Sequence, residues 1–236
     1  MSISVFFPCY NDSKTISNLV LNAITILKKI TKDFEVIVID DASSDSSRKI
    51  LTKLAKKNPK LKLIFHEKNS GYGGALRSGF KAATKDLIFY TDGDGQYDVK
   101  ELPLLLNLMT PDVDFINGIK MSRHDPTYRI ILGNFYSLLA RWMFWLPIFD
   151  VDCDFRLVRR ALVEKLHLTS NSGSICVELV KQSQLQGAKF RQVSVHHFER
   201  KYGNSQFFRA DRLIFTLWEL INLWFKLIIF GKLFKI

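Results

Sequence analysis

Two carboxylates and one amide alternate in the segment Asp92-Gly93-Asp94-Gly95-Gln96, which directly follows the apolar run at 87–90. Oxygen ligands at the C-terminal end of a strand suit a hard divalent cation that keeps coordination positions open for phosphate oxygens. The pattern therefore predicts a metal site for a substrate with a diphosphate group. The alternative is an acidic turn without a ligand, because Asp and Gly are also the ordinary residues of tight turns.

Alternating apolar runs and helical patterns position this turn. We predict strands at 3–7, 34–39, 61–65 and 87–91, separated by helices at 13–30 and 44–57, and followed by a helix at 99–108 and a strand at 113–118. Such alternation indicates βα units in a mainly parallel sheet. Open sheets of this kind bind ligands beyond the carboxyl ends of their strands.

Three more polar segments fall at those strand ends. They are Pro8-Cys9-Tyr10-Asn11-Asp12, Asp40-Asp41-Ala42-Ser43-Ser44-Asp45 and Asn69-Ser70-Gly71-Tyr72-Gly73-Gly74. A carboxylate after the second strand can accept from a base N–H or a ribose hydroxyl, while Ser43 and Asp45 cap the next helix. The glycines allow close backbone approach, and Gly79 lets the following helix pack tightly. A glycine-rich loop alone is weak evidence, because both the phosphate-loop ending and the dinucleotide fingerprint are missing.

The composition limits the class of protein. The 236 residues, 47% of them hydrophobic, suffice for one α/β domain with a short appendage. The net charge of +11 favours anionic partners such as nucleotides or acidic lipid headgroups. No nucleic-acid recognition module is visible, so no nucleic-acid partner is expected. No basic, apolar leader precedes the first strand and the three cysteines lack metal-ligand spacing, so we expect a cytoplasmic protein with free thiols.

The second half of the chain is rich in aromatic and aliphatic residues at 128–149 and again from 207 to the end. The apolar run at 213–230 is interrupted by Glu219, Asn222 and Lys226, whereas a spanning helix needs about 20 mostly uncharged residues. A narrow polar stripe on a broad apolar helix is typical of a helix in the bilayer interface. A buried core helix is the alternative. We therefore expect a catalytic domain at 1–206 and an amphipathic interfacial helix at 207–236.

Taken in order, the polar segments resemble the family 2 glycosyltransferases. The residues that carry the resemblance are Pro8, Tyr10 and Asn11, then Asp40, Asp41, Ser43 and Asp45, then Asn69, Gly71, Gly74, Ala75 and Gly79, and finally Asp92, Asp94 and Gln96. The resemblance implies a Rossmann-like, GT-A-type single domain that binds a nucleotide sugar with these loops. It also implies that Asp92, Asp94 and Gln96 hold Mg²⁺ or Mn²⁺ on the diphosphate.

The later segments resemble the dolichyl- and polyprenyl-phosphate glycosyltransferases within that family. The matching elements are the Asp-x-Asp-x-Gln turn, Ser122-Arg123, Tyr128-Arg129, the segment at 152–156, and an Arg-x-x-Gly-x-Ser element from Arg200 to Ser205. The sequence departs from the subgroup at Cys153-Asp154, where small residues are usual, at Gln206, where Lys is frequent, and before Ser122. This likeness implies a polyprenyl phosphate acceptor, a membrane surface and, left open by the sequence, a separate membrane subunit as partners.

Ordinary phosphate chemistry is consistent with such an acceptor. A phosphate monoester has a second pKa near 6, so it is nucleophilic at neutral pH without a general base. Adjacent His196 and His197 point to opposite faces of a strand and are poor candidates for one. Arginine binds phosphate bidentately, so we expect Arg123 and Arg129, with Ser205, to hold the acceptor phosphate and Arg200 to close over the donor. Structural ion pairs are the alternative, with Arg156 balanced between the two.

The sequence thus predicts an inverting, metal-dependent transfer of a sugar, mannose or glucose by resemblance, to a polyprenyl phosphate at the cytoplasmic membrane face. Asp94, Arg123, Arg129 and Arg200 are the predicted catalytic residues. Two alternatives stay open. The acceptor could be a saccharide or another hydroxyl compound, which would require a general base, or the protein could be a catalytically silent nucleotide-sugar-binding scaffold at the membrane.

Overall fold

The computed structural model describes residues 1–121, 127–202 and 210–230. Within these ranges a seven-stranded sheet is formed by β1 (Ile3–Cys9), β2 (Phe34–Asp40), β3 (Leu61–Phe65), β4 (Leu87–Thr91), β5 (Phe115–Met121), β6 (Phe155–Arg159) and β7 (Phe190–His196). The helices are α1 (Ile16–Ile30), α2 (Ser47–Lys57), α3 (Gly71–Ala82), α4 (Leu102–Leu106), α5 (Thr127–Phe144), α6 (Arg160–Val163), α7 (Ile175–Leu185) and α8 (Ala210–Trp224). A 3₁₀ turn (Val99–Glu101) precedes α4, and a π-helical turn (Phe225–Phe230) continues α8.

The strands lie in the order β3-β2-β1-β4-β6-β5-β7. The pairs β1–β2, β1–β4, β2–β3 and β5–β7 are parallel, and β6 runs antiparallel to both β4 and β5. This arrangement confirms the predicted α/β fold with a mainly parallel sheet. The antiparallel strand has a direct consequence for the site: Phe155, at the start of β6, lies opposite Thr91, at the end of β4.

Helices cover both faces of the sheet, as a parallel sheet requires. On one face, α1 packs through Leu19, Val20 and Ala23 together with residues of α2 and α4. On the other face, α3, α5, α7 and α8 share a second apolar cluster that includes Phe6 and Tyr90 of the sheet. The C-terminal ends of the parallel strands β1, β2, β3 and β4, which carry the four polar motifs, therefore lie on one side of the molecule, between the two layers of helices.

The first two helices begin three residues later than the sequence predicts. Helix α1 begins at Ile16, because the backbone carbonyl of Asp12 accepts from the amides of Thr15 and Ile16 in a preceding turn. Helix α2 begins at Ser47, whose amide donates to the Asp45 carboxylate at 2.9 Å. The predicted helix at 99–108 is a 3₁₀ turn followed by a five-residue helix.

Helix α8 packs on the domain along one side only. Leu220, Leu223 and Ile228 are buried against α5 and α7, whereas Ile214 and Trp218 are 70% and 60% exposed. The helix is therefore buried on one side and exposed on the other, and its placement in the bilayer interface stays a prediction. Among the described residues, Asp211–Phe230 is the one stretch with the length and apolar character to cross a membrane, and by itself this is weak evidence of membrane association.

Candidate active site

Four carboxylates from three segments converge where the parallel strands end. Asp12 follows β1, Asp92 and Asp94 follow β4, and Asp154 precedes β6. The antiparallel register of β6 brings Asp154 to the same edge as the acidic turn. Besides burial, the charge of Asp94 contributes to the raised pKa of Asp12, and the charges of Asp154 and Asp94 contribute to that of Asp92, so the segments form one acidic cluster.

Asp92 is oriented by a tyrosine from α3. The hydroxyl of Tyr72 donates to Oδ1 of Asp92 at 2.7 Å. Burial of the Asp92 carboxyl, followed by the charges of Asp154 and Asp94, raises its pKa well above the ordinary value. Burial also raises the pKa of Asp154, although Arg156 lies 3.8 Å away and Cys176 donates to its Oδ1.

The turn packs directly on the loop after β1. A Cβ atom at Gly93 would overlap the carbonyl oxygen of Pro8 and lie 3.1 Å from Oδ2 of Asp12. The same Oδ2 accepts from the amide of Tyr10 at 3.1 Å. Burial raises the pKa of Asp12 to about 6 despite that hydrogen bond, and the charge of Asp94 adds to the rise. The glycine is thus needed for the two loops to share the cluster.

The donor set of the cluster fits a divalent cation. Among the described residues no group of three or more His, Cys, Asp or Glu side chains could hold a metal ion by itself. Mg²⁺ bound with a phosphate substrate commonly takes only one or two carboxylates, together with phosphate oxygens and water. Burial is the main cause of the raised pKa values of Asp92 and Asp12, and neighbouring carboxylates add to both; a bound cation would offset that negative charge. Asp92 and Asp94 are the residues that would hold it.

Arg200 reaches the acidic turn from the segment after β7. Its Nη2 donates to Oδ2 of Asp94 at 2.5 Å, and the charge of Asp94 raises the pKa of Arg200 although burial opposes the rise. The backbone amide of Phe198 donates to the carbonyl of Gln96 at 2.8 Å, and Nε2 of Gln96 donates back to the carbonyl of Phe198 at 3.1 Å. The side-chain amide of Gln96 therefore links the acidic turn to the segment after β7. Metal binding by Gln96 stays a prediction.

The paired carboxylates after β2 have partners within the protein. Oδ1 of Asp40 accepts from Arg48 Nε at 2.6 Å and from the amide of Ser43. Asp41 accepts from His66 Nδ1 at 2.7 Å and from the amides of Ser70 and Gly71. Asp41 thereby holds the start of α3, while Oδ2 of Asp40 is buried and has no hydrogen bond. Nucleotide binding by either residue stays a prediction.

Asn11 joins the first two loops. Its Oδ1 accepts from the amides of Ser44 and Asp45 at 2.8 and 3.2 Å, and its own amide donates to Ser43 Oγ. Asn11 has φ of 60°, a left-handed conformation that Asn tolerates better than most residues. Pro8, Tyr10 and Asn11 therefore lie at the same end of the sheet as Asp40 and Asp41, and their binding of the nucleotide stays a prediction.

A loop of the protein itself occupies the space beside the glycine-rich turn. Cβ atoms at Gly71 and Gly73 would overlap the carbonyl oxygens of Asn171 and Ser170 respectively. Asn69 donates from Nδ2 to the backbone carbonyl of Asp41 at 3.1 Å. The structure thus gives Gly71 and Asn69 clear local functions, and the nucleotide-sugar role of Asn69, Gly71 and Gly74 stays a prediction.

The predicted acceptor-phosphate residues lie outside the described structure. Arg123 and Ser205 fall within the undescribed ranges 122–126 and 203–209, and the side chain of Arg129 is likewise not described. Arg156, by contrast, is fully buried and donates to Asn117 Oδ1 at 2.7 Å and to the Tyr90 hydroxyl at 2.9 Å. These contacts fix Arg156 within the core, with the Asp154 carboxylate 3.8 Å away.

The sequence predicts no metal-binding, nucleotide-binding or catalytic role for Tyr72, Asp12 or Asp154. Tyr72 sits between two glycines on the turn that binds Asp41, and Asp154 lies in a segment that was noted only for its departure from the subgroup. An acidic residue where small residues are usual was the available signal for Asp154. His196 and His197 behave as predicted: His196 pairs with Glu101, whereas His197 is buried against the ring of Tyr97.

The sequence pattern of glycosyl transferase family 2 matches residues 4–167, which include the loops after β1, β2 and β4 and the glycine-rich turn. The chain belongs to glycosyl transferase family 2. A curated relative, the undecaprenyl-phosphate 4-deoxy-4-formamido-L-arabinose transferase of Yersinia pestis (strain Pestoides F), is 28% identical over 228 residues, which cover 96% of this chain. The chain spans about two thirds (66%) of the length of that relative.

Solved structures of other glycosyltransferases share the fold of this family 2 member. The mannosyltransferase of Pyrobaculum calidifontis, solved with GDP-Man and Mn²⁺, superposes with a TM-score of 0.68 at 21% identity and covers 93% of this chain and 64% of its own. Glucosyl-3-phosphoglycerate synthase of Mycobacterium tuberculosis, solved with Mn²⁺, UDP and phosphoglyceric acid, gives 0.70 at 18% identity, covering 95% and 78%. At these identities the likeness shows the fold alone.

Proposed function

We propose that this family 2 glycosyltransferase transfers a sugar from a nucleotide diphosphate to a polyprenyl phosphate at a membrane surface. The observation that carries the proposal is the acidic turn, in which Asp94 pairs with Arg200 beside the partly buried, tyrosine-bound Asp92. Oxygen ligands and a guanidinium at one point suit a metal-bound diphosphate. The curated relative that matches 96% of the chain is named for transfer to undecaprenyl phosphate, which supports the same class of acceptor.

The protein residues would act mainly by binding and orienting the reactants. Mg²⁺ or Mn²⁺, when bound by Asp92 and Asp94, would neutralise charge on the leaving diphosphate. Tyr72 fixes the orientation of the Asp92 carboxylate, and Arg200 adds positive charge beside Asp94. We assign the nucleotide to the loops after β1 and β2. The acceptor phosphate, already ionised, would be held by Arg123, Arg129 and Ser205 for in-line attack with inversion.

The membrane part of the proposal rests on the exposed apolar side chains of α5 and α8, here called the apolar face. It comprises the exposed side chains of Ile131, Leu132, Phe135, Leu138 and Trp142 on α5 and of Ile214, Leu217, Trp218 and Ile221 on α8. Soluble monomers rarely expose such a patch, and tryptophan is enriched where proteins meet the membrane interface. The net charge of +11 would add attraction to acidic headgroups. We propose that this face lies on the cytoplasmic leaflet, where the lipid acceptor is found.

The sugar, mannose or glucose in our proposal, can be identified by a transfer assay. Purified protein in detergent is given labelled GDP-mannose, UDP-glucose or UDP-GlcNAc with undecaprenyl or dolichyl phosphate, and with Mg²⁺, Mn²⁺ or EDTA. We expect one donor to give a lipid-extractable product that EDTA abolishes. Donor binding without a lipid product under any condition would instead favour a hydroxyl acceptor or the need for a separate membrane subunit.

A pair of variants separates catalysis from scaffolding. Asp94→Asn removes a proposed metal ligand and should lower kcat/KM by about 100-fold, the loss typical of one electrostatic stabiliser. Asp33→Asn is the matched control, because Asp33 is an exposed carboxylate at the N-terminal end of β2, whereas the acidic turn lies at the C-terminal ends of the parallel strands. Equal activity of the Asp94 variant and the wild type would contradict the proposed site.

A further inference from the structure

Helix α8 carries one carboxylate that is directed at the domain. Oε1 of Glu219 accepts from the amide of Asn171 at 2.9 Å, and Oε2 accepts from the amide of Ser172 and from Ser174 Oγ, both at 2.8 Å. Although partial burial opposes it, hydrogen bonding to Ser172 and Asn171 lowers the pKa of Glu219. The one acidic residue in the apolar middle of α8 therefore binds a loop between β6 and α7, at 169–174.

This loop, here called the 169–174 loop, is held from two further directions. The buried carboxylate of Glu178 on α7 accepts from the amides of Thr169 and Ser170 at 2.9 and 2.8 Å. Arg77 on α3 donates to the carbonyl of Thr169 at 3.1 Å and to Asn171 Oδ1 at 2.6 Å. The loop is thus fixed between α3, α7 and α8.

The 169–174 loop also contacts the first turn of α3 directly. The carbonyl of Asn171 accepts from the amide of Gly73 at 2.9 Å, and the loop leaves no room for side chains at Gly71 or Gly73. Tyr72 lies between these glycines and donates to Asp92. A hydrogen-bonded path therefore runs from Glu219 through Asn171 and the first turn of α3 to the acidic turn.

We propose that Glu219 is a positioning residue through which the docking of α8 sets the geometry of the Tyr72–Asp92 pair and hence the binding of the donor. The proposal rests on the function proposed above, since it takes Asp92 as a donor-site residue. A carboxylate in an apolar helix is stabilised only where donors meet it, and the amides of Asn171 and Ser172 meet it only when α8 lies on the loop. Docking of α8 and ordering of the first turn of α3 are then one coupled equilibrium.

Hydrogen exchange tests the structural link without any substrate. In Glu219→Ala the amides at 71–74 should exchange faster than in the wild type, because the backbone amide of Asn171 loses its acceptor and the 169–174 loop is then held by Arg77 and Glu178 without Glu219. Asn222→Ala is the control, since Asn222 is an exposed polar residue on the same helix. Unchanged exchange at 71–74 in the folded Glu219→Ala protein would overturn the proposal.

Kinetics test the functional link. We expect Glu219→Ala to raise the KM for the nucleotide sugar by at least about fivefold, the lower end of typical couplings between sites, with the KM for the lipid phosphate unchanged. A merely structural anchor for the helix predicts the reverse, a higher KM for the lipid phosphate, weaker binding to vesicles and an unchanged KM for the donor. That result would refute our inference.

A milder variant guards against loss of folding. Ser174→Ala removes one donor to Glu219 and should shift both readouts in the same direction by a smaller amount; no shift in either would also count against the proposal. The two proposals fail differently. A wild-type protein that transfers no sugar contradicts the proposed function, whereas an active wild type with an unchanged donor KM in Glu219→Ala contradicts only the role of Glu219.

Discussion

At the scale of single residues, buried charge in this protein falls into two groups. Arg156 and Glu35 are buried and surrounded by fixed hydrogen-bond partners, so their charges serve the fold. Asp92 and Asp12 are instead close to other carboxylates, and burial raises their pKa values. Ionisable groups with strongly shifted pKa values cluster at functional sites. The contrast separates structural ions from candidate site residues without reference to any relative.

Glu35 gives a pH-dependent test of the first group. Burial opposes ionisation, but hydrogen bonds from Lys62, Ser4 and Thr84 lower the pKa of Glu35 to about 2. Its stabilising effect is therefore present above the ordinary value of 4.5 and is lost as the pH falls through about 2. We expect Glu35→Gln to lower the free energy of unfolding by about 2 kcal/mol at pH 7.

Urea denaturation at pH 7 and pH 3 checks this expectation. The difference between wild type and Glu35→Gln should shrink at pH 3, because the Glu35 carboxyl of the unfolded chain, with its ordinary pKa of 4.5, is then largely protonated, whereas the folded carboxyl is still mostly ionised. Glu67→Gln, a change at an exposed carboxylate, serves as the control and should have little effect at either pH. A difference that stays constant from pH 7 to pH 3 would show that the charge of Glu35 is not stabilising.

At the scale of elements, the close packing of α3 on β1 depends on one glycine. A Cβ atom at Gly79 would lie 2.5 Å from the ring of Phe6, which itself stacks on Tyr90 with centroids 5.2 Å apart. Gly79→Ala should destabilise the domain by about 1–3 kcal/mol, because overpacking outweighs the better helix propensity of alanine. Thermal or urea unfolding measures the change, with Lys81→Ala on the exposed side of α3 as the control.

A second substitution identifies the cause. If the clash with Phe6 is responsible, Phe6→Leu should be less damaging in the Gly79→Ala background than in the wild type, since the smaller side chain relieves the overlap. Additive effects of the two substitutions would instead place the loss of stability elsewhere, for example in the helix backbone.

Much of this arrangement follows from local sequence. The apolar runs of β1, β2 and β4 are buried along their whole length and are easy to locate, and the polar segments at their ends fix which edge of the sheet can bind a ligand. The position of β6 between β4 and β5 could not be predicted, because strand order depends on pairing between distant residues. For the same reason the sequence pointed to Asp92 and Asp94 but assigned nothing to Asp154, which joins them only through that strand.

Hydrogen-bond partners were equally hard to foresee. Asp40 and Asp41 lacked an electrostatic explanation in the sequence, and the structure supplies Arg48 and His66 from later elements. The glycines at 71 and 73 suggested approach by a ligand, whereas the neighbour in the structure is the 169–174 loop. A residue type restricts what a position can do, but only the fold shows which group lies beside it.

At the scale of the whole molecule, the apolar face makes a prediction about lipid binding. Trp142 is 76% exposed and Trp218 is 60% exposed, on neighbouring helices. Replacing both by Ser should reduce binding to anionic phospholipid vesicles by about tenfold or more, because two aromatic side chains no longer enter the interface. Sedimentation with vesicles measures the effect. Leu104→Ser is the control, as Leu104 is exposed on α4 on the other side of the sheet; equal losses in both proteins would argue against a specific face.

The strand order also has a consequence for how the chain is made. Strands β3, β2, β1 and β4 are neighbours and all precede residue 92, so this half of the sheet can pair as soon as it leaves the ribosome. Strand β5 is synthesised next, but both of its neighbours, β6 and β7, come later. During translation both edges of β5 therefore stay unpaired until β6 and β7 have been made. Unpaired strand edges favour association with other chains or with a chaperone. Because Arg200 follows β7, the acidic cluster gains its arginine only after the seven strands of the described sheet have been made.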